Sequence, residues 1–128
     1  MTKVKVYDDP FYSDYRGEIH RYNIHGAKYN VLYTKKGFMR SGDFHPIPQY
    51  DIILSGVFEL TLHQDGKDIV MQKHQMELIV IPPNVPHLFR ALTDTVMIEW
   101  WPGPFEAEYY EPYRNLIDKQ VEENQTIK

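Results

Sequence analysis

The chain contains no cysteine, which removes disulfides and thiolate metal sites together. That composition fits a reducing compartment. Long apolar runs are missing as well: the longest are strand-length, far below the ~20 residues a transmembrane helix needs. The opening stretch MTKVKVYDDP has no apolar core of the kind a signal peptide carries. The expectation is a cytoplasmic protein with no membrane contact. Lys and Arg total 14 against 18 Asp and Glu, and they are scattered, so no basic stripe is readable for nucleic acid. Internal repeats and low-complexity segments are absent too.

What is present is aromatic: ten tyrosines, six phenylalanines and two tryptophans. These favour strands and suit pockets that stack against rings. With 128 residues, the chain is expected to form one domain with a core of its own. Most of it reads as short alternating or apolar runs cut by Gly, Pro, Asn and Asp, the mark of an all-β sandwich or barrel. Strands are predicted over 29–34, 38–44, 50–54, 57–63, 69–73, 77–81, 87–92 and 95–101. Ser55-Gly56 and Thr93-Asp94 read as hairpin turns, and Gln64 to Lys67 as a third turn. In 57–63, Phe58, Leu60 and Leu62 share one face. Pro82-Pro83-Asn84-Val85-Pro86 reads as a loop, since three of its five residues lack a backbone donor. After Pro112 the pattern changes to a short helix over about 112–123.

Two segments carry the chemistry, GFMRSGDFHPIPQYDIILSG and MELIVIPPNVPH. Asp43 and His45 are two apart, so on an extended strand they point to one side. Gln49 follows a proline-interrupted bend, and His87 opens the strand after the proline loop. Two imidazoles, a carboxylate and an amide oxygen are a donor set for one divalent metal, with Fe, Mn, Ni and Zn as candidates. Each imidazole would need its second nitrogen held by a partner. For His45 and Gln49 the competing roles are a hydrogen-bonded core histidine and a loop-capping amide. Asp43 could bind the metal or merely orient His45.

Arg40 could clamp an anionic group of a substrate, or form a rim salt bridge. Glu99 lies in VMIEWW on the face of Met97 and Trp101; if that face points inward, burial would raise its pKa and suit it to acid–base work. Tyr29 and Tyr33 could line a pocket or simply pack. His20, His25, His63 and His74 have no ligand-like spacing, and Glu106-Ala107-Glu108 reads as a solvated acidic face.

The spacing resembles the cupin family. That family's first motif is a Gly, five residues, His-x-His, three or four residues, Glu, six residues and Gly. Here Gly37, Asp43, His45, Gln49 and Gly56 stand at those spacings, and Pro82 to His87 is similar to the second motif. Asp43 takes the place of the first His, Gln49 that of the Glu, and Asn84 that of a turn Gly. The resemblance implies an all-β double-stranded β-helix (jelly-roll) barrel over about 28–102. It also implies a metal held by Asp43, His45, Gln49 and His87, and a homodimer, for which the edge segment Lys3 to Tyr7 could serve. QYDIILSG followed by IPPNVPH resembles the small metal-binding cupins of pectin breakdown. Asp14 to Glu18 and Arg40 to His45 are similar to segments of dTDP-sugar 3,4-ketoisomerases and 3,5-epimerases, in which a His shuttles a proton without metal. Both likenesses imply a sugar-like small-molecule substrate with a carbonyl. His45, from the second likeness, and Glu99 and Arg40, from the reading of their own segments, are the candidate catalytic residues. An iron-dependent dioxygenase and a non-catalytic binding cupin are the rival readings.

Overall fold

The computed structural model describes residues 2–126. Eleven strands run in chain order: β1 (Phe11–Asp14), β2 (Gly17–Ile24), β3 (Ala27–Thr34), β4 (Met39–Phe44), β5 (Gln49–Ser55), β6 (Phe58–Gln64), β7 (Lys67–Lys73), β8 (Leu78–Ile81), β9 (His87–Ala91), β10 (Thr95–Trp100) and β11 (Glu108–Tyr109). A helix, α1 (Glu111–Thr126), follows the strands and runs three residues further than predicted. The strands form a six-stranded sheet in the order β1-β2-β3-β10-β5-β8 and a five-stranded sheet in the order β11-β4-β9-β6-β7. Every pairing is antiparallel.

Alternation places the core between the sheets. Phe58, Leu60 and Leu62 of β6, with Phe89 beside them on β9, meet Ile53, Ile79, Ile81 and Met97 of the other sheet, all nearly inaccessible. Each such side chain contributes about 1.5–3 kcal/mol relative to exposure. Outside the five-stranded sheet, α1 lays Tyr113, Ile117 and Val121, four residues apart, over Leu88 and Met39. Gln120 ties the helix down by donating to Gly37 O at 2.9 Å and accepting from Met39 N at 3.0 Å.

Two predicted hairpins are not hairpins. Ser55-Gly56 joins β5 to β6, and Thr93-Asp94 joins β9 to β10, and in both cases the two strands lie in different sheets. The tight turns are corners where the chain crosses the barrel wall, and they pack on each other. Leu92 N donates to Val57 O at 2.9 Å and Val57 N to Thr93 Oγ1 at 3.1 Å. A Cβ at Gly56 would sit 2.4 Å from Asp94 O. The third predicted turn is a hairpin: Asp65 (φ 53°) and Gly66 (φ 75°) are both left-handed, the requirement of a two-residue turn between twisted strands.

The barrel also starts earlier than predicted. The β1–β2 hairpin extends the six-stranded sheet well before residue 28. Of the segment Lys3 to Tyr7, expected to serve as an edge for dimer pairing, the first two residues pair within the chain, while Val6 and Tyr7 are exposed. Lys3 bridges Glu108, and Val4 N donates to Ala107 O at 2.9 Å. No helix among the described residues is long and apolar enough to cross a membrane.

Candidate metal centre and cavity

One extra residue in β4 builds the site. Arg40 pairs with Phe89 and Ser41 with Leu88, but it is Asp43, not Gly42, that pairs with His87. Ser41 (φ 82°) and Gly42 (φ 70°) take the left-handed conformations of a β-bulge. Strict alternation would send Arg40 and Asp43 to opposite faces; the bulge turns both inward. At Gly42 α1 comes so close that a Cβ would lie 3.1 Å from the Arg114 backbone.

Asp43, His45, Gln49 and His87 do converge. Asp43 Oδ1 lies 3.2 Å from His87 Nε2 and 3.5 Å from His45 Nε2. His87 Nε2 is in turn 3.1 Å from Gln49 Oε1. The far nitrogens are anchored as the sequence required. His45 Nδ1 donates to Glu106 O at 2.9 Å, and His87 Nδ1 to Val85 O at 3.0 Å. A carbonyl only accepts, so each neutral ring carries its proton on Nδ1 and turns the Nε2 lone pair toward Asp43.

Four acceptor atoms therefore face one another inside the barrel. Asp43 Oδ1 and His45 Nε2 are buried with no hydrogen-bond partner. Asp43, His45 and His87 each offer one atom, all within 4.8 Å of one another. Ligands about 2.1 Å from a common ion stand roughly 3.0–3.4 Å apart at right-angle to tetrahedral separations. These residues fit a divalent cation. Should a proton occupy an Nε2 instead of an ion, it would be held there: burial alone would lower His45 and raise Asp43, but the pairing of imidazolium with carboxylate prevails, raising His45 and holding Asp43 well below the usual range.

The surroundings hold the rings. His45 packs against Trp101 at 5.2 Å and Phe105 at 5.4 Å between centroids. Asn84, left-handed at φ 62°, donates its N–H to His45 O at 2.6 Å and so ties the proline loop to the other histidine segment. The stretch Glu106 to Glu108 corrects the expectation of a merely solvated face: its backbone holds His45, and Ala107 is buried.

Glu99 does point inward with Met97, at 9 % exposure. Burial first, and the Asp43 charge second, push its carboxyl up to about 7. Beside it in register stands Asp51, fully buried, which the sequence reading did not single out. Gln49 Nε2 donates to both Asp51 oxygens, at 2.9 and 3.2 Å. Burial first, and the Glu99 charge second, raise Asp51 well above its ordinary value. The available signal was its two-residue spacing from Gln49.

A cavity of about 1040 Å³ opens over this cluster, with Asp43, Asn30, Glu99, Trp101 and Phe105 in its wall. Arg40 is not part of that wall. It is buried, donating Nε to Thr34 Oγ1 at 2.7 Å and Nη2 to Tyr33 O at 3.0 Å, and burial lowers its pKa to about 10. Neither a substrate clamp at the cavity nor a rim salt bridge describes that position. Tyr29 and Tyr33 also stay out of the cavity wall; Tyr29 packs near Trp100, and Tyr33 is largely exposed.

No family model matches the sequence, and no curated protein matches it. Solved structures do match. Oxalate decarboxylase of Bacillus subtilis, in a variant lacking residues 162–163, superposes with a TM-score of 0.67 at 14 % identity, over 83 % of this chain and 31 % of that one. The same enzyme at pH 4.6 gives a TM-score of 0.66 at 16 % identity, over 82 % of this chain and 30 % of that one. Mn(II) centres are described in that enzyme. The capsular polysaccharide assembling protein CapF of Staphylococcus aureus gives 0.64 at 17 % identity, over 77 % of this chain and 31 % of that one. The chain spans under a third of the length of these relatives. Their likeness lies in shape, and together with the two antiparallel sheets around a buried cluster it identifies this chain as a protein of the cupin fold.

Proposed function

We propose that this protein is a metal-binding cupin enzyme that isomerises, epimerises or ring-opens a sugar-derived carbonyl compound. The observation that carries the reading is the convergence of Asp43, His45 and His87, two of whose facing atoms are buried without a partner. Gln49 Oε1 completes the donor set beside His87. Two imidazoles with oxygen donors suit borderline first-row ions such as Fe, Mn, Ni or Zn. When bound, such an ion supplies Lewis-acid polarisation of a carbonyl oxygen.

The chain's own residues supply the rest. Glu99 faces the cavity with a carboxyl near pH 7, so both its protonation states are populated at neutral pH. That is the property of a group that takes a proton from carbon and returns it. Trp101 and Phe105 wall the cavity with rings. The cavity, about 1040 Å³, has room for a sugar-sized molecule.

The metal-free alternative assigns proton transfer to His45. It is less well supported, because His45 Nε2 is enclosed and the cavity wall carries Glu99 instead. The test is proton NMR in deuterium oxide with a panel of aldoses, ketoses and uronates. The reading predicts metal-dependent deuterium incorporation next to the carbonyl, abolished in Glu99→Gln. Stoichiometric metal without exchange or turnover on any of them would support a binding protein instead.

A further inference from the structure

The six-stranded sheet carries a row of polar residues across four neighbouring strands. Arg21 of β2 stands opposite Asn30 of β3, Asn30 opposite Glu99 of β10, and Glu99 opposite Asp51 of β5. Cross-strand partners share a face, so a row that is inward at Glu99 is inward along its length. Arg21, Asn30 and Glu99 all line the cavity. Strands lie about 4.8 Å apart, which sets the Arg21 backbone roughly 10 Å from that of Glu99.

The cavity is therefore polarised. Its inner end presents the carboxyls of Asp43 and Glu99; its outer wall presents Lys5, Arg21 and Lys28 against the single carboxylate of Asp8. In a chain of net charge −4 that concentration of cations is local. Lys28 is engaged by Asp8 at 2.9 Å. Arg21 Nη1 donates to Asp9 O at 2.9 Å, which fixes the side chain along the wall and uses one of a guanidinium's five N–H donors. Its guanidinium carbon sits 5.9 Å from the Tyr7 ring centroid, and Lys5 Nζ 5.3 Å from the same ring.

We propose that Arg21 is a specificity-determining residue, holding an anionic group (a carboxylate or a phosphate) at the outer end of a substrate whose reacting end lies by Asp43 and Glu99. The inference rests on the catalytic reading above and names its substrate class: an acidic sugar derivative about one sugar ring long. A guanidinium fork matches two anionic oxygens at once, which a lone ammonium cannot do. Arg40, the cation whose sequence position suggested this task, is committed to Thr34 and Tyr33 and lies outside the cavity wall.

The test is calorimetric binding of D-galacturonate, D-glucose 6-phosphate and D-glucose to the full chain, in wild type, Arg21→Gln and Arg21→Lys. Metal content is determined on the same samples. One of the two anionic sugars should bind at least about tenfold tighter than glucose, more weakly as salt rises. Arg21→Gln should remove that advantage by about tenfold or more, and Arg21→Lys should restore part of it. Whichever anion binds tighter identifies the group as carboxylate or phosphate. Equal binding of all three sugars, no binding of any, or undiminished anion preference in Arg21→Gln would overturn the assignment. Because Arg21 lies outside the donor set, wild type without metal but with an Arg21-dependent preference would defeat the metal reading and leave this one standing.

Discussion

Replacing Glu99 by glutamine removes one ionisation and almost no volume, so it isolates the cost of a buried charge. Glu99 is 9 % exposed on β10, beside Asp51 and near Asp43. Its carboxyl rises from an ordinary 4.5 to about 7, burial being the largest cause and the Asp43 charge the next. At ~1.36 kcal/mol per tenfold change in proton affinity, that rise corresponds to roughly 3 kcal/mol. The folded chain holds this proton more tightly than the unfolded chain does. Between about pH 4.5 and about pH 7 the native state therefore carries more protons, and stability falls as pH rises. Above that window the whole cost is present; below it, none. The amide cannot ionise, and its introduction also relieves Asp51, which the Glu99 charge raises. Urea unfolding of chelator-treated wild type and Glu99→Gln, from pH 4 to pH 8.5, reads the difference directly. The two should coincide near pH 4 and diverge until the variant is more stable by about 3 kcal/mol at pH 8. A bound divalent ion should shrink that gap, since its charge offsets the carboxylate. Parallel curves across the range would refute the inward, charge-penalised placement of Glu99.

Gly42→Ala puts a Cβ against the Arg114 backbone at a left-handed φ of 70°, so it should lower stability by about 1–2 kcal/mol or more. Thermal unfolding measures this, and metal content should fall with it because the bulge aims Asp43. Arg40→Met should cost about 1–3 kcal/mol in urea unfolding, through the hydrogen bonds lost to Thr34 and Tyr33. It should leave binding of the anionic sugars unchanged, the opposite of Arg21→Gln.

The strands of the barrel proper were legible because alternation is a local signal: Phe58, Leu60 and Leu62 announce their shared face within five residues. Asn84 was legible for a similar reason, since few residues other than glycine tolerate φ near 62°. The hairpins at Ser55-Gly56 and Thr93-Asp94 were misread because turn chemistry reports a tight reversal, not which sheet receives the next strand. The two corners brace each other across more than thirty residues of sequence. At the site, the cupin-like spacing pointed to Asp43, His45, Gln49 and His87, whose side chains lie together in the folded chain. The bulge that makes Arg40 and Asp43 both inward has no signature beyond Ser41-Gly42. Asp51 and Arg21 were missed because their meaning comes from cross-strand register with Glu99 and Asn30. Register is a property of the folded sheet.

Metal content by plasma mass spectrometry, on protein purified without chelator or histidine tag, tests the metal centre most directly. Wild type is compared with His45→Ala and His87→Ala, with circular dichroism to verify that each variant keeps its strands. One divalent ion per chain in the wild type, lost in both folded variants, is the predicted result. A wild type that takes up none of Fe, Mn, Ni or Zn, or folded variants that retain a full equivalent, would contradict it.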